Sequence, residues 1–370
     1  MLLESRLFPQ TPLLNEQYTH SNLSLALQPE FYYEWADGYA SIVFVPYLRI
    51  DQHDGKRTHF DVRELFWQKV SKIWELRFGI RKVFWGVTES RHLVDIINQT
   101  DYVENLDGEE KLGQLMLNLA LIRSWGTIDF YILPLFRERP FPGWRARPRY
   151  PIMIETDRAM FESSSKKRLV DFAVRWFHTV GVFDVGLAYF YGTSREPFLT
   201  LSLDDSGQPI LIPFYDVIHQ TSLDLQATIA GWLIKLEALT RRGLGDRFLA
   251  FTSGLEYTFA NAFGSGADLG FLGEYIYDRR DKKAFTPFRD EIFLGMRLAL
   301  NDIQGTNLLT GVMIDRDSGT SLVNVEGSRR IGSGWKLNLE VRGFIGAPES
   351  DLLYVFRKDD YLQIELSYHF

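Results

Sequence analysis

The sequence predicts an all-β chain: a single transmembrane antiparallel β-barrel of about eighteen strands over residues 1–370, with short periplasmic turns and long extracellular loops. Three observations predict it. Apolar and polar residues alternate with a period of two along most of the chain, ionisable residues stand mid-strand, and the tryptophans gather at one level.

The alternation is clearest at the end of the chain. In YLQIELSYHF, Leu362, Ile364, Leu366, Tyr368 and Phe370 share one face and Gln363, Glu365, Ser367 and His369 the other. GWKLNLEVRGF repeats it with Trp335, Leu337, Leu339 and Val341 against Lys336, Asn338, Glu340 and Arg342. WELRFGIR, LDLQATI, WLIKLEA and DFAVRW carry the same pattern. The segments read as about ten to fourteen residues each, beyond the roughly five or six of an ordinary globular strand. A soluble sandwich alternates too, but charges such as Arg77, Arg175, Arg297, Glu340 and Arg342 inside strands suit walls that face a watery lumen.

In chain order the expected strands are 3–8, 21–36, 39–51, 57–70, 72–85, 113–124, 126–136, 167–180 and 182–204, followed by 209–229, 230–241, 247–260, 267–279, 289–301, 307–316, 319–330, 335–346 and 359–370. Tight turns fall near Asp37-Gly38, Ser71, Trp125, Gly181, Gly231, Gly264, Gly305 and Gly334, where glycine or a small polar residue suits a hairpin. The opposite connections include two long loops, 86–112 and 137–166. Folded this way, Trp35, Trp67, Trp74, Trp125, Trp176, Trp232 and Trp335 lie beside the short turns, as an interfacial aromatic girdle requires. The adjacent Arg63 and Glu64 in FDVRELFWQ mark the expected position of a bulge.

Composition narrows the function. A net charge of −7 without a basic run offers nothing to nucleic acid. The absence of cysteine removes disulfides, thiolate catalysis and Cys-ligated metal. MLLESRLFPQ is not a signal peptide, so an exported protein is expected here in its mature form.

The stretches FDVRELFWQ (60–68), LRFGIRKVFWG (76–86), GLAYFYGTSREP (186–197), SLDLQATIAGWLIKLEAL (222–239), GLEYTF (254–259), GEYIYDRR (273–280), RDEIFLGMRLALND (289–302) and VEGSRRIG (325–332) resemble a family of proteobacterial outer-membrane β-barrels. More distantly they are similar to the alginate-export type of eighteen-stranded porin. The resemblance runs along most of the chain and rests on strand-and-turn signatures, not on reactive residues. It implies the bacterial outer membrane, with membrane lipid and lipopolysaccharide around the barrel, and a uronate- or oligosaccharide-like cargo.

A barrel of this size leaves an aqueous channel unless loops block it. The expected lumen residues include Arg77, Arg81, Arg175, Lys235, Glu237, Arg297, Lys336, Glu340 and Arg342, both signs side by side, so the wall itself is expected to select ions weakly. Loop 137–166 brings Arg137, Arg139, Arg145, Arg147 and Arg149 into a Pro-rich stretch, and loop 86–112 carries Asp95, Asp101, Glu104, Asp107, Glu109 and Glu110. One expectation is a basic constriction selecting anionic solutes. Others are that the two loops pair, or that the arginines meet lipopolysaccharide phosphates.

The expected function is a passive channel for small hydrophilic or anionic solutes, with no enzyme activity, cofactor or metal. A sealed barrel serving as a partner-binding scaffold and an outer-membrane lipid hydrolase are the alternatives. For a hydrolase, His219 and Ser222 are three apart on a strand and point to opposite faces, and no Gly-x-Ser-x-Gly elbow occurs. His53, His59, Asp51, Asp54 and Asp61 read as polar turn residues rather than metal ligands, and Asp315, Asp317 and Glu326 as a hairpin turn rather than a calcium loop.

Overall fold

A computed structural model describes residues 1–281, 284 and 286–369. Among these it contains no α-helix, and all but four of its strands form one closed antiparallel barrel. The order begins with β1 (Leu2–Leu7), β2 (Ser21–Leu27), β3 (Phe31–Trp35), β4 (Ala40–Asp51), β5 (His59–Val70), β6 (Trp74–Arg81), β7 (Gln114–Arg123) and β8 (Gly126–Leu133). After the short β9 (Met153–Ile154) and β10 (Met160–Phe161) come β11 (Asp171–Val180), β12 (Phe183–Thr193), β13 (Phe198–Leu203), β14 (Pro209–Tyr215) and β15 (Val217–Ile229). The chain completes the wall with β16 (Trp232–Arg242), β17 (Phe248–Phe259), β18 (Asp268–Asp278), β19 (Asp290–Ala299), β20 (Asn307–Asp315), β21 (Ser321–Ile331), β22 (Trp335–Ile345) and β23 (Tyr361–Tyr368). Neighbours in sequence pair with neighbours around the wall, and β23 returns to pair with β1.

β2 and β3 are one interrupted strand, because both pair with β4 in a single register. Residues 28–30, opposite 45–47, drop out of the ladder. Pro29 and Pro46, at the same level, supply no N–H to it. Beside Pro46 the β4–β5 register jumps from Val45–Glu64 to Pro46–Val62, leaving Arg63 as the extra residue of a bulge where the sequence suggested one. Counting β2 and β3 together, the wall has eighteen strands among the described residues.

Two expected strands are shorter than their alternation. Segments 182–204 and 209–229 break after Thr193 and at Asp216, with the Ser194 N–H donating to the Asp216 carbonyl at 2.8 Å. Between them β13 and β14 form a hairpin that leaves the barrel and joins β9 and β10 in a separate four-stranded sheet. Period-two patterning persists through the break, so the sequence does not register it. Phe370 lies outside the described residues.

Most wall strands have an apolar outer row and a polar inner one, while the inner rows of β7, β8, β11, β12 and β15 include apolar side chains. On β1 and β2, Leu3, Leu7, Leu23, Leu25 and Leu27 are exposed while Glu4, Arg6, Asn22 and Ser24 are buried inside. Leu187 and Tyr189 on β12 and Leu249, Leu255 and Phe259 on β17 extend the same exposed belt. So much contiguous exposed apolar surface is stable only against an apolar solvent. At the short-turn rim Trp35, Trp125, Trp232 and Trp335 are exposed, and the indole of Trp176 donates to the Trp125 carbonyl at 3.1 Å.

Candidate functional site

The lumen is shaped by residues 82–113, the connection between β6 and β7, which folds into the barrel. Its entry carries an apolar set that reads as an unremarkable loop in sequence. Trp85, Val94, Ile96 and Ile97 are buried against Met116, Tyr131, Leu133, Ala173, Phe190 and Ile218 on the inner wall of β7, β8, β11, β12 and β15. Burying each such side chain contributes about 1.5–3 kcal/mol, so this half of the lumen is filled firmly.

Two wall carboxylates then clamp the loop backbone. Glu237, wholly buried on β16, accepts from the Val87 N–H at 2.7 Å, the Thr88 N–H at 2.9 Å, the Thr88 hydroxyl at 2.7 Å and the Val94 N–H at 3.0 Å. Glu274 on β18 accepts from the Glu89 and Ser90 N–H groups, each at 2.8 Å. Gly86 has a φ of +143°, and a Cβ there would lie 2.9 Å from Glu237, so the approach needs glycine. The loop then crosses to the connection after β12, where Arg195 donates to the Ile97 carbonyl at 2.9 Å, and to β5, where Arg63 pairs with Asp101 at 2.7 Å. It ends against β22, with Asp107 3.0 Å from Arg342.

The larger open spaces lie in the opposite half of the lumen, between this loop and β18–β23, and a smaller one lies against Arg139, Arg195 and Arg241. Three adjoining cavities of about 160, 280 and 490 Å³ run from the long-loop rim toward the short turns, and Asp107 and Glu109 line all three. The middle and lower cavities also share Glu89, Asn105, Leu309 and Glu326, which makes this the throat. Its carboxylates outnumber its cations. Arg297 pairs with Glu89 at 2.6 Å, Arg342 with Asp107 and with Glu326 at 3.1 Å, and His92 with Glu109 at 3.1 Å. Glu340, 2.9 Å from Arg342, adds a fifth carboxylate to these three partners.

Burial pushes the Asp107 carboxyl up to about 6 against the pull of Arg342, with the charge of Glu340 helping to raise it. Burial disfavours the His92 imidazolium, but the hydrogen bond and charge of Glu109 outweigh it and raise His92 above its ordinary value.

The remaining wall charges are mostly paired. Arg77 meets Glu75 and, at 2.9 Å, Gln68; Arg81 donates to Asn118 at 3.3 Å. Arg175 is 2.7 Å from Asp224, Lys235 is 3.5 Å from Glu256, and Lys336 lines the lower cavity.

None of the five arginines of loop 137–166 lines the throat. Arg137 pairs with Asp61 at 2.8 Å. Arg139 donates to Gln99 at 3.1 Å and to the Arg195 carbonyl at 2.7 Å, and stacks over Tyr102. Arg147, wholly buried, holds Asp359 at 2.6 Å and the carbonyls of Thr19 and Lys358. Arg149 donates to the carbonyls of Trp144, Tyr150 and Pro151. Arg145 is exposed. Arg139 and Arg147 therefore tie long loops to one another, Arg137 ties its loop to β5 and Arg149 braces its own loop, and the acidic loop, not the basic one, narrows the passage. The other candidates also fall apart as chemistry. Exposed His219 bonds Tyr189 while Ser222 is buried inside, and Asp315 caps the N–H groups of Asp317 and Ser318 in a tight turn.

No protein-family model and no curated protein matches the chain. Among solved structures it is similar to Wzi, an outer-membrane protein involved in group 1 capsule assembly in Escherichia coli and described as a carbohydrate-binding β-barrel. The TM-score is 0.56 at 9% identity, covering 100% of this chain and 84% of that one. It is similar to OccK11 (OpdR) of Pseudomonas aeruginosa, with a TM-score of 0.56 at 11% identity over 99% of this chain and 93% of that one. OccK9 (OpdG) of the same organism also has a TM-score of 0.56, at 12% identity, over 99% and 95%. The likeness spans nearly the whole chain, and the fold is that of an outer-membrane porin-like β-barrel.

Proposed function

We propose that the protein is a passive pore of the bacterial outer membrane, admitting small hydrophilic solutes along the off-axis passage between the inward loop and β18–β23. Membrane lipid surrounds the apolar belt, and the exposed Trp144 and Arg145 suit contact with lipopolysaccharide at the long-loop rim. The observation that carries the reading is the acid-rich throat shared by adjoining cavities. Glu89, Asp107, Glu109, Glu110, Glu326, Glu340 and Glu365 line these cavities against Arg297, Arg342, Lys336 and His92, so neutral and cationic solutes are favoured over anions. The basic constriction that would favour a uronate lacks most of its filter, because Arg139 alone of the five lines the passage, at its upper cavity, while Arg137 and Arg147 are engaged elsewhere. A neutral oligosaccharide fits the Tyr102, Tyr150, Phe288 and Tyr361 rings around the middle cavity and keeps the carbohydrate cargo that the resemblance implies.

Single-channel recording in a planar bilayer with a potassium chloride gradient tests this. A steady conductance with a reversal potential displaced toward potassium is expected. Displacement toward chloride overturns the charge argument, and the absence of conductance leaves a sealed scaffold.

A further inference from the structure

We propose that His59, Asp101 and Glu104 form a divalent-cation site that fastens the inward loop to the head of β5. One donor atom from each converges within 4.8 Å of the others, the one such three-residue group among the described residues. His59 comes from β5 and both carboxylates come from the inward loop, so a bound ion joins wall to loop.

The second observation is what each residue does with its remaining atom. Asp101 Oδ2 accepts from Arg63 at 2.7 Å, while Asp101 Oδ1 is buried with no hydrogen-bond partner. Glu104 Oε2 accepts from the Tyr47 hydroxyl at 2.8 Å and lies 2.8 Å from Arg49, while Glu104 Oε1 is buried and likewise unpartnered. His59 Nδ1 lies 3.0 Å from the Arg57 carbonyl; the tautomer with its proton there leaves the Nε2 lone pair facing Glu104 Oε1 at 3.6 Å. Each ligand thus has one atom anchored and one left free to bind, and such supporting hydrogen bonds orient metal ligands. Asp101 and Glu104 are 1% and 5% exposed, and orphaned carboxylate oxygens at that depth are costly.

The donor set selects the ion. One imidazole with two carboxylates suits zinc or a similar borderline ion better than calcium. Ligand bonds of about 2.0–2.2 Å place neighbouring donors about 3.3 Å apart, so the His59–Glu104 spacing needs little adjustment. Three protein ligands leave room for water, and the partly exposed His59 gives access. The competitor is Arg63, whose Nη2 lies 3.8 Å from Glu104 Oε1 and offers the oxygen a cation already. The other residues of the DQHDGKRTHFD stretch stay outside. Asp51 caps the N–H groups of His53 and Asp54, Asp54 caps Lys56, and Asp61 pairs with Arg63 and Arg137.

The test is isothermal titration of zinc into the detergent-solubilised full chain, freed of any histidine tag. About one zinc per barrel is expected, weakened at least tenfold by His59→Ala and unchanged by His53→Ala. No uptake by the folded wild type, or equal affinity in His59→Ala, overturns the site. Should His59→Ala fail to fold, zinc-edge X-ray absorption of the wild type decides. One imidazole nitrogen among oxygens supports the assignment, and two or more imidazoles overturn it.

Discussion

Glu237→Ala should release the inward loop without opening the barrel. The wild-type carboxylate accepts four hydrogen bonds from Val87, Thr88 and Val94, from a wholly buried position. Hydrogen bonds to a charged acceptor contribute about 1.5–3 kcal/mol each, so the clamp represents roughly 6–12 kcal/mol before any compensation. Water entering the vacated space satisfies part of the demand, and the Trp85–Ile97 cluster still holds the loop. We therefore expect about 3–4 kcal/mol to be lost from loop docking, a shift of two to three orders of magnitude in its opening equilibrium. Gln at this position should be milder. Its single carbonyl keeps the three partners of Oε1, but its amide meets the Val94 N–H donor to donor. The assays are single-channel recording and limited trypsin digestion. In Glu237→Ala, open-channel noise should rise and cleavage at Arg91 or Lys111 should appear, while the folded barrel keeps its anomalous gel mobility. Quiet, unchanged conductance together with a protected loop would refute the idea that Glu237 positions the constriction.

Acidification should erase the cation preference. Asp107, raised to about 6, loses its charge as pH falls through that value, and His92, raised above its ordinary value, gains one; both changes act in the same direction, so the reversal potential should move toward zero between about pH 7 and 5. Asp107→Asn at pH 7.5 should reproduce part of that shift and leave only the smaller pH response of His92. Arg147→Met strands Asp359 and should lower stability by about 3–5 kcal/mol, seen as a lower temperature of heat modification; an unchanged transition would mean that the long loops do not need this pair. Leu255→Arg, on the exposed face of β17, should cost about 2–4 kcal/mol in lipid refolding, and a negligible effect there would argue against a bilayer around the belt.

The wall was legible because its rule is local. A period of two needs only neighbours, and all eight short connections fall where Asp37-Gly38, Ser71, Trp125 and the turn glycines place them. Even the bulge at Arg63 showed as two adjacent charges in an alternating strand. What the sequence withheld depends on distant partners. Val87 meets Glu237 across 150 positions, and nothing near either residue announces the other. The run of Leu93, Val94, Ile96 and Ile97 inside a supposed hydrophilic loop was the available signal that this loop, not the arginine-rich one, turns inward. The arginines misled because a cluster of cations reads alike whether it meets a solute or a set of carbonyls. His59 looked like a turn residue for the same reason, its prospective co-ligands being about forty positions away.

The seam between β1 and β23 bears on how such a molecule comes into being. Leu2 sits opposite Ser367 and Leu7 opposite Leu362, so the pairing that closes the ring joins the two strands of the wall most remote from each other in sequence. Until the last strand arrives, β1 and β22 each keep an edge of unpaired N–H and C=O groups that hydrocarbon cannot satisfy. Contacts this remote in sequence are the slowest to form, so assembly should resemble a zipper that holds only when its final teeth engage. A chain lacking β23 should not persist as a slightly smaller pore. It should stall with two open margins, a target for proteases and for adhesion to its own kind.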